Sequence, residues 1–483
     1  MPSNRVVRVR RGADEVARTM QEGVERIRAE LDLPGEFAEP VLAAAREAAS
    51  SPRMPQLDRS DLPFLTIDPE GARDLDQALH IERDPDTDGY VVHYAIADVM
   101  AFVTPGDPVD VESHARGETF YGAESKIPLH PPAISEDAAS LLPGQVRPAL
   151  LWTIRVDAEG EGTDVVVERA QVRSTAQLTY EQAQAAIDDG SAGEVLHLLQ
   201  EIGELRLARD AARGGVSLPL PEQEIDVEEG HWTLEFRSLL PVEQWNAQIS
   251  LLTGFGAASL MVYARVGLLR TLPPPDPRDV QRLHRTAAGL GIEWPAEQLY
   301  PDFIRSLDPS VPAHAAMVVA STRLLRGSGY VAFDGEVPAE PQHSALASEY
   351  AHVTAPLRRL ADRYAGEVCV ALCAEQEVPG WVLEALPRLP GEMAASTQRA
   401  RAYERAVTDL VEAGLLAHRV GEQFDAVVVS VEQDDPRRGV VMLRTEGVEA
   451  RVVGAQELPL GTEVVVTLAQ ADVESRTVEF RLG

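Results

Sequence analysis

Residues 419–483 differ from the rest of the chain because they contain five short runs rich in β-branched residues, divided by turn residues. The runs are Phe424–Glu432, Gly439–Arg444, Val448–Val453, Glu463–Ala469 and Thr477–Leu482. Five strands in so short a segment are typical of a small barrel of the OB type. The sequence therefore predicts a C-terminal five-stranded OB-type β-barrel over residues 419–483.

The middle of the chain mixes strands and helices. Residues 60–175 contain strands and loops, with Tyr90–Ala97 and Leu150–Val156 as the clearest strands. Helical periodicity then predicts helices at Tyr180–Asp188, Ala192–Arg213, Val242–Leu269, Pro277–Leu290, Pro312–Arg326, Leu357–Glu375 and Gly391–His418. We expect residues 59–418 to form one large mixed domain, so the fold class is α+β and multidomain.

Residues 1–58 are predicted to be a small helical N-terminal module. Apolar residues recur at helical spacing over Ala13–Leu31, Pro34 and Gly35 interrupt the pattern, and a second helix is expected over Phe37–Ala49. Two alternatives stay open for this module: a winged-helix or helix-turn-helix relative, and a segment that packs onto the central domain.

Composition limits the environment and the partners of the chain. Its net charge of −33 argues against a surface that binds nucleic acid everywhere, but it permits a local basic channel. Cys369 and Cys373 are spaced for one helix face rather than for a disulfide. No signal-peptide core is present, and Gln244–Ala264 suits a buried helix better than a membrane span. We expect a cytoplasmic, monomeric protein without membrane contact.

The segment from Thr66 to Gln77 is a candidate metal site. The acidic content of the chain predicts about one or two acids in nine residues, whereas residues 68–76 contain four, including Asp68, Asp74 and Asp76. Short carboxylates on an irregular loop after a strand can converge on a hard divalent cation such as Mg²⁺. The alternative is a solvated acidic loop.

Further motifs follow in a fixed order. They are Ala95-Ile-Ala-Asp-Val99, Arg116-Gly117 with Tyr121, Ile127-Pro-Leu129, and Tyr350-Ala-His-Val-Thr-Ala-Pro-Leu-Arg-Arg359. Together with the acidic loop, this set resembles the RNB catalytic domain of the ribonuclease II family of exoribonucleases. That family reads T-I-D…D-x-D-D, I-A-D-V, I-P-M-L-P and Y-x-H-F-T-S-P-I-R-R-Y, and it carries an S1-like OB domain at the C-terminal position.

The resemblance implies hydrolysis of single-stranded RNA from its 3′ end to nucleoside 5′-monophosphates. It assigns Asp68 and Asp74 to magnesium, with manganese as the alternative ion. Asp76 corresponds to the position that the family needs most, either as a metal ligand or in orienting the attacking water.

The fourth position departs from the family pattern, because Gln77 stands where an aspartate is usual. An amide oxygen can still ligate the ion, but it brings no charge. Three interpretations follow: an active enzyme with a weaker second metal, an active enzyme in which another carboxylate such as Asp98 substitutes, or an inactive RNA-binding relative.

The resemblance also implies a set of substrate-binding residues. Tyr121 matches an aromatic residue that stacks on the terminal base, the alternative being a core tyrosine. Arg358 and Arg359 match phosphate-binding arginines. Arg405 resembles a catalytic arginine that holds the scissile phosphate.

Three functions are therefore weighed. The first is a hydrolytic 3′→5′ exoribonuclease. The second is a catalytically weak or silent RNA-binding or ribosome-associated relative. The third is a metal-dependent hydrolase of another nucleotide-like substrate.

Overall fold

The computed structural model describes residues 13–122, 126–218, 222–228, 231–237, 239–443 and 448–483. The first twelve residues of the N-terminal module, and Arg444 of the second barrel run, lie outside these ranges. The helices are α1 (Ala13–Glu30), α2 (Glu39–Ser50), α3 (Pro108–Arg116), α4 (Tyr180–Asp188), α5 (Glu194–Arg213), α6 (Pro241–Ala264), α7 (Pro277–Gly289), α8 (Tyr300–Arg305), α9 (Pro312–Ser321), α10 (Leu360–Cys373), α11 (Gly380–Ala385) and α12 (Leu389–Leu416).

The strands outside the C-terminal barrel are β1 (Leu57–Asp58), β2 (Phe64–Asp68), β3 (Gln77–Arg83), β4 (Tyr90–Ala97), β5 (Phe120–Tyr121), β6 (Lys126–Ile127), β7 (Val146–Val156), β8 (Gly162–Thr179), β9 (Glu222–Glu228), β10 (His231–Arg237), β11 (Val266–Thr271), β12 (Gly329–Asp334), β13 (Gln342–His343) and β14 (Ser348–Glu349). The barrel strands are β15 (Gln423–Val431), β16 (Arg438–Leu443), β17 (Glu449–Gly454), β18 (Glu463–Asp472) and β19 (Thr477–Leu482).

The main sheet of the central domain closes on itself. Its order is β1-β8-β2-β3-β4-β7, and β7 also pairs with β8. The long strand β8 makes this possible because residues 162–173 pair with β7 and residues 174–179 with β2. The end of β4 and the loop from β2 to β3 meet at one end of this closed ring, where the N–H of Ala97 donates to the carbonyl of Asp76 at 2.9 Å.

Strand β4 is buried along its whole length, and its two faces belong to different cores. Val92, Tyr94 and Ile96 pack in one hydrophobic cluster, and Ala95 and Ala97 in another. Alternation of side chains along a strand produces this division. The first cluster lies against α5, α6 and α10, and the second against α2 and the turn around Ile134.

One predicted helix ends earlier than the sequence indicates. The prediction of a helix over Val242–Leu269 is wrong at its C-terminal end, because α6 stops at Ala264 and Val266–Thr271 forms β11. Arg265 takes a left-handed conformation with φ of 61°, which terminates the helix. Strand β11 then pairs with β12, whose residues lie about 65 positions away, so a distant partner outweighs local apolar periodicity.

The two N-terminal helices pack into different parts of the molecule. α1 lies against α12, and its Met20 and Ile27 share a cluster with residues of the C-terminal barrel. α2 packs on α3 through the cluster that contains Val41 and Ala45. Whether residues 1–58 form a domain of their own stays a prediction, as do the limits 59–418 and 419–483.

The C-terminal segment forms the predicted barrel. Its strand order is β15-β16-β17-β19-β18 with closure between β18 and β15. Phe424 and Phe480 meet edge to face in its core, with ring centroids 5.5 Å apart. The predicted fold class, with a helical N-terminus, a large mixed domain and a five-stranded barrel, is confirmed.

Two expectations from composition concern α6 and α10. Cys369 and Cys373 both lie on α10 and are free thiols. Among the described residues, α6 is the one helix long and apolar enough to cross a membrane by length and composition. Trp245, Ile249 and Leu252 on this helix belong to the hydrophobic core of the central domain.

Candidate active site

The acidic loop between β2 and β3 is held at both ends and in its middle. Asp68 closes β2, and Gln77 opens β3. Between them, the Ser140 hydroxyl donates to the carbonyl of Arg73 at 2.6 Å and accepts from the N–H of Leu75 at 3.0 Å. These bonds hold the backbone on both sides of Asp74.

Asp76 is the most buried carboxylate of the loop. Its exposed fraction is 5%, and its Oδ1 accepts from the backbone N–H of Leu357 at 2.8 Å. The Nε of Arg358 lies 3.6 Å from Oδ2. Burial raises the pKa of Asp76 to about 7, although Arg358 and the Leu357 bond oppose this shift. A carboxylate in this state gains stability from a nearby cation.

Asp68 lies at the end of β2 in a similar environment. Burial raises its pKa to about 6, and the nearby Thr66 hydroxyl and Arg358 offset this only in part. Its Oδ2 is buried and has no hydrogen bond of normal geometry to any described residue. A buried carboxylate oxygen without a donor is costly, so this atom is available for a cation.

Asp74 has a cation of its own. Its Oδ1 lies 2.6 Å from the Nζ of Lys126, and the same ammonium lies 3.0 Å from Oε1 of Glu136. The negative charge of Asp74 contributes to raising the pKa of both Asp68 and Asp76. The three aspartates therefore share one region of the structure, with Lys126 on the Asp74 side.

The donor set of this region fits a divalent cation. Asp68 offers an oxygen without a partner, and Asp68 and Asp76 both carry raised pKa values caused by burial. Hard cations such as Mg²⁺ take carboxylate oxygens together with water and substrate phosphate. Within the described ranges, no group of three or more His, Cys, Asp or Glu is placed to hold a metal ion by itself, so water and substrate would have to complete the coordination.

Gln77 is engaged at both ends of its amide. Its Nε2 donates to the carbonyl of Thr354 at 2.7 Å, and its Oε1 accepts from the hydroxyl of Tyr94. Gln77 therefore joins the β3 end of the loop to the segment before Arg358. Its role as a metal ligand stays a prediction.

Asp98 points to a different set of partners. Its Oδ1 accepts from the N–H of Met100 at 3.0 Å, and its Oδ2 accepts from Nε of Arg169 at 2.9 Å. Arg169 also pairs with the buried carboxylate of Glu367. Both oxygens of Asp98 thus have donors, which leaves it poorly placed to substitute for a fourth aspartate.

Tyr121 lies at the edge of the site on the short hairpin β5–β6. It pairs across the hairpin with Lys126, and it is 50% exposed, so its ring is outside the core. Burial of its hydroxyl raises the pKa of Tyr121, and the neighbouring Arg358 opposes that shift. One hairpin thus brings an exposed aromatic ring and an ammonium to the carboxylates.

Arg358 and Arg359 have different surroundings although they are adjacent. The side chain of Arg358 is 45% exposed and faces Asp76. Arg359 makes a bidentate pair with Asp362, with Nε to Oδ1 and Nη2 to Oδ2 both at 2.9 Å. Asp362 is fully buried and also accepts from the N–H of Ala355, so Arg359 is committed to organising the chain around Arg358.

The arginines of α12 face two different regions. Arg405 is exposed. Its positive charge partly offsets the raised pKa values of Asp409 and of Glu449 on β17, and it is not among the groups that shift the pKa of Asp76. Arg401, one turn earlier, lines a cavity of about 240 Å³ together with Arg270, Tyr330 and Thr397. Arg401 lies close to Glu118 and Arg359, whereas Arg405, one turn further along the same face of α12, lies close to Asp409 and Glu449.

Sequence reasoning did not assign roles to Lys126, Arg270 or Arg401. Arg401 and Arg405 are four positions apart on one helix and so share a similar sequence signal. Lys126 did carry a signal, since it is the one lysine among 44 Lys and Arg residues. Its contact with Asp74 across 52 positions could not be read from spacing.

Comparison with known families gives the identity of this arrangement. The RNB domain matches residues 56–372, and the RNase II-type exonuclease C-terminal S1 domain matches residues 422–483. The chain belongs to the RNB-domain family of exoribonucleases. The RNB match contains the three aspartates, Gln77 and Tyr121, and the arginines of α12 lie between the two matches.

Among curated relatives, this RNB chain is 26% identical over 492 residues to ribonuclease R of Escherichia coli, covering 93% of this chain and 60% of that protein. Across the curated relatives that it matches, the chain spans 30% to 60% of their lengths. It is therefore shorter than the relatives that it matches.

Two solved structures show the same fold. Mycoplasma genitalium RNase R in complex with ribose-methylated single-stranded RNA matches with a TM-score of 0.85 at 18% identity, covering 96% of this chain and 78% of that one. Yeast Ssd1, described as a pseudonuclease, matches with a TM-score of 0.67 at 16% identity, covering 91% and 54%. Proteins with this fold therefore include an RNase R that has been solved with bound RNA and a protein described as a pseudonuclease.

Proposed function

We propose that this protein is a hydrolytic 3′→5′ exoribonuclease that degrades single-stranded RNA to nucleoside 5′-monophosphates with Mg²⁺ or Mn²⁺. The observation that carries the proposal is the arrangement of Arg358 3.6 Å from the buried carboxylate of Asp76, with the exposed ring of Tyr121 beside it. In an RNB-domain chain, this arrangement provides an anion-binding group, a buried carboxylate and a stacking surface at one place.

Each residue has a role that its surroundings allow. The half-exposed Arg358 binds a non-bridging oxygen of the scissile phosphate, and Tyr121 stacks on the 3′-terminal base. Asp76, fixed by the Leu357 N–H, orients the attacking water. A divalent metal held by carboxylates of this loop would supply positive charge to the reacting phosphate.

RNA must reach this site through a protein with a net charge of −33. The guanidiniums of Arg270 and Arg401 along the α12 cavity are suited to phosphate oxygens, since guanidinium binds them in a planar, bidentate way. We therefore include this cavity in the RNA path. Binding is expected to weaken as salt rises.

The test uses single-stranded RNA labelled at its 5′ end and incubated with the full chain and Mg²⁺. The proposal expects progressive shortening of the labelled strand and release of nucleoside 5′-monophosphates. Omission of the metal and the Asp76→Asn variant serve as controls. Internal cleavage, or release of 3′-phosphates, would contradict it.

A silent RNA-binding relative is the second candidate. It is favoured by the neutral Gln77 at the fourth position and by the likeness in fold to yeast Ssd1, a pseudonuclease. In the same assay it would bind the labelled RNA and leave its length unchanged. A hydrolase of another nucleotide-like substrate would neither bind nor shorten the RNA.

We further propose that the protein acts as a monomer in the cytoplasm. The free thiols of Cys369 and Cys373 support a reducing compartment. Size-exclusion chromatography with light scattering tests the first part, and cell fractionation the second.

A further inference from the structure

Lys126 is the one lysine of the chain. The sequence contains 44 Lys and Arg residues, and all but Lys126 are arginines. Its Nζ lies 2.6 Å from Asp74 and 3.0 Å from Glu136, inside the carboxylate site. An ammonium is a compact point charge, whereas guanidinium is planar and more diffuse. The lysine therefore stands where a small, concentrated positive charge fits.

The hairpin β5–β6 fixes the position of this ammonium. Phe120 and Ile127 form its buried pair, with exposed fractions of 0% and 7%, and Tyr121 pairs with Lys126 in the next register position. Because neighbouring residues in a strand point to opposite faces, anchoring of Phe120 and Ile127 turns Tyr121 and Lys126 toward the site. The side chain of Lys126 is only 25% exposed.

Gln77 and Lys126 alter the charge of the site in the same direction. Gln77 is neutral, and its amide already bonds to Thr354 and Tyr94. The three aspartates and the Lys126 ammonium together have a formal charge of −2. Adding Glu136 and Arg358 leaves this total unchanged, because their charges cancel. One divalent cation balances this charge, and a second would be in excess.

We propose that the site binds one divalent ion, held by Asp68 and Asp76, and that the Lys126 ammonium supplies the second positive charge beside Asp74. The ammonium has three N–H donors, of which Asp74 and Glu136 use two, so the third can donate to a phosphate oxygen of the substrate. This last role rests on the proposed phosphodiester hydrolysis. The ion count does not.

The test counts bound Mn²⁺ on the purified full chain, without RNA, by electron paramagnetic resonance during a titration. We expect one tightly bound ion per wild-type chain. Lys126→Met should bind that ion at least about tenfold more tightly, since a repelling charge next to it is lost. The double variant Lys126→Met/Gln77→Asp should bind two ions, whereas Gln77→Asp alone should still bind one.

Two control variants separate charge from folding. Lys126→Arg keeps the positive charge and should bind Mn²⁺ like the wild type. Arg83→Met removes one positive charge at the opposite end of β3, where Arg83 pairs with Glu201, and should leave binding unchanged. Thermal unfolding of each variant verifies that it is folded.

Two results would overturn the inference: two equally tight ions on the wild-type chain, or unchanged Mn²⁺ affinity and count in both Lys126→Met and the double variant. RNA hydrolysis by the same preparations is measured separately. A protein that binds one ion in a Lys126-dependent way but leaves RNA intact would refute the proposed function and leave the ion count standing.

Discussion

The guanidinium of Arg358 faces the carboxylate of Asp76, and the residue before Arg358 donates its backbone N–H to the same carboxylate. Its Nε lies 3.6 Å from Oδ2, and the N–H of the preceding residue, Leu357, lies 2.8 Å from Oδ1. One turn of chain therefore both fixes the carboxylate and presents a guanidinium next to it. Movement of this turn would displace both groups together.

The Asp76→Asn variant is expected to lose RNA hydrolysis by at least about a hundredfold, because it removes charge from the reacting centre. RNA binding should stay near wild type, since an amide oxygen can still accept from Leu357 and Arg358 is retained. Product gels and fluorescence anisotropy measure the two properties. Parallel loss of binding and activity would show that Asp76 holds the fold instead.

Arg358→Ala and Arg359→Ala form a matched pair on adjacent residues. Arg358→Ala should reduce hydrolysis about a hundredfold or more with little change in stability, because the side chain is half exposed and is proposed to bind the reacting phosphate. Arg359→Ala should cost about 3–5 kcal/mol of unfolding free energy, because it leaves the buried Asp362 unpaired. Denaturant unfolding and single-turnover rates distinguish them, and equal stability losses would refute the division of roles.

Tyr121→Ala should change the length at which short products are released. Stacking on an exposed ring is worth about 1–3 kcal/mol, and the last few nucleotides depend on it most. Tyr121→Phe keeps the ring and serves as the control. An unchanged ladder of end products in Tyr121→Ala would exclude a stacking role.

Arg401→Ala and Arg405→Ala test which arginine of α12 contacts RNA. Arg401 lines the cavity with Arg270, whereas Arg405 lies near Asp409 and Glu449. Arg401→Ala should weaken RNA binding and reduce the salt slope by about 0.7, the value for one lost phosphate contact on a single strand. The opposite order of effects would support the phosphate role that the sequence assigns to Arg405.

The stability of the protein should fall in acid partly because of His130. Its ring is fully buried, and burial lowers its pKa from 6.5 to about 3. Because the unfolded chain binds a proton there first, the unfolding free energy should decrease as the pH falls below about 6.5. His130→Gln should flatten this slope by up to about 1.4 kcal/mol per pH unit, whereas His418→Gln, at an exposed position, should not. Identical slopes for all three proteins would mean that other groups control acid stability.

The sequence predicted most where the signal is local. Turn residues divide the β-branched runs of the barrel, so all five strands were placed within a few residues of their observed bounds. The acidic loop was found because Asp68, Asp74 and Asp76 lie within nine residues. These features depend on neighbours along the chain.

Other features depend on residues that are distant in sequence. Gln77 meets Thr354 across 277 positions, and Asp76 meets Leu357 across 281. The change from helix to strand after Arg265 depends on pairing with β12. Neither periodicity nor spacing encodes such partners, and for that reason the helix over Val242–Leu269 was predicted too long.

The packing of α1 has a consequence for how the chain is made. Met20 and Ile27 are buried with residues of α12 and of the barrel, Arg28 donates to the Tyr403 hydroxyl at 3.3 Å, and Glu30 pairs with Arg476. These partners leave the ribosome roughly 400 residues later, a delay of about 20–80 s at ~5–20 residues per second. During that time the apolar stripe of α1 has none of these native partners, so α1 can dock in its final position only when synthesis is almost complete.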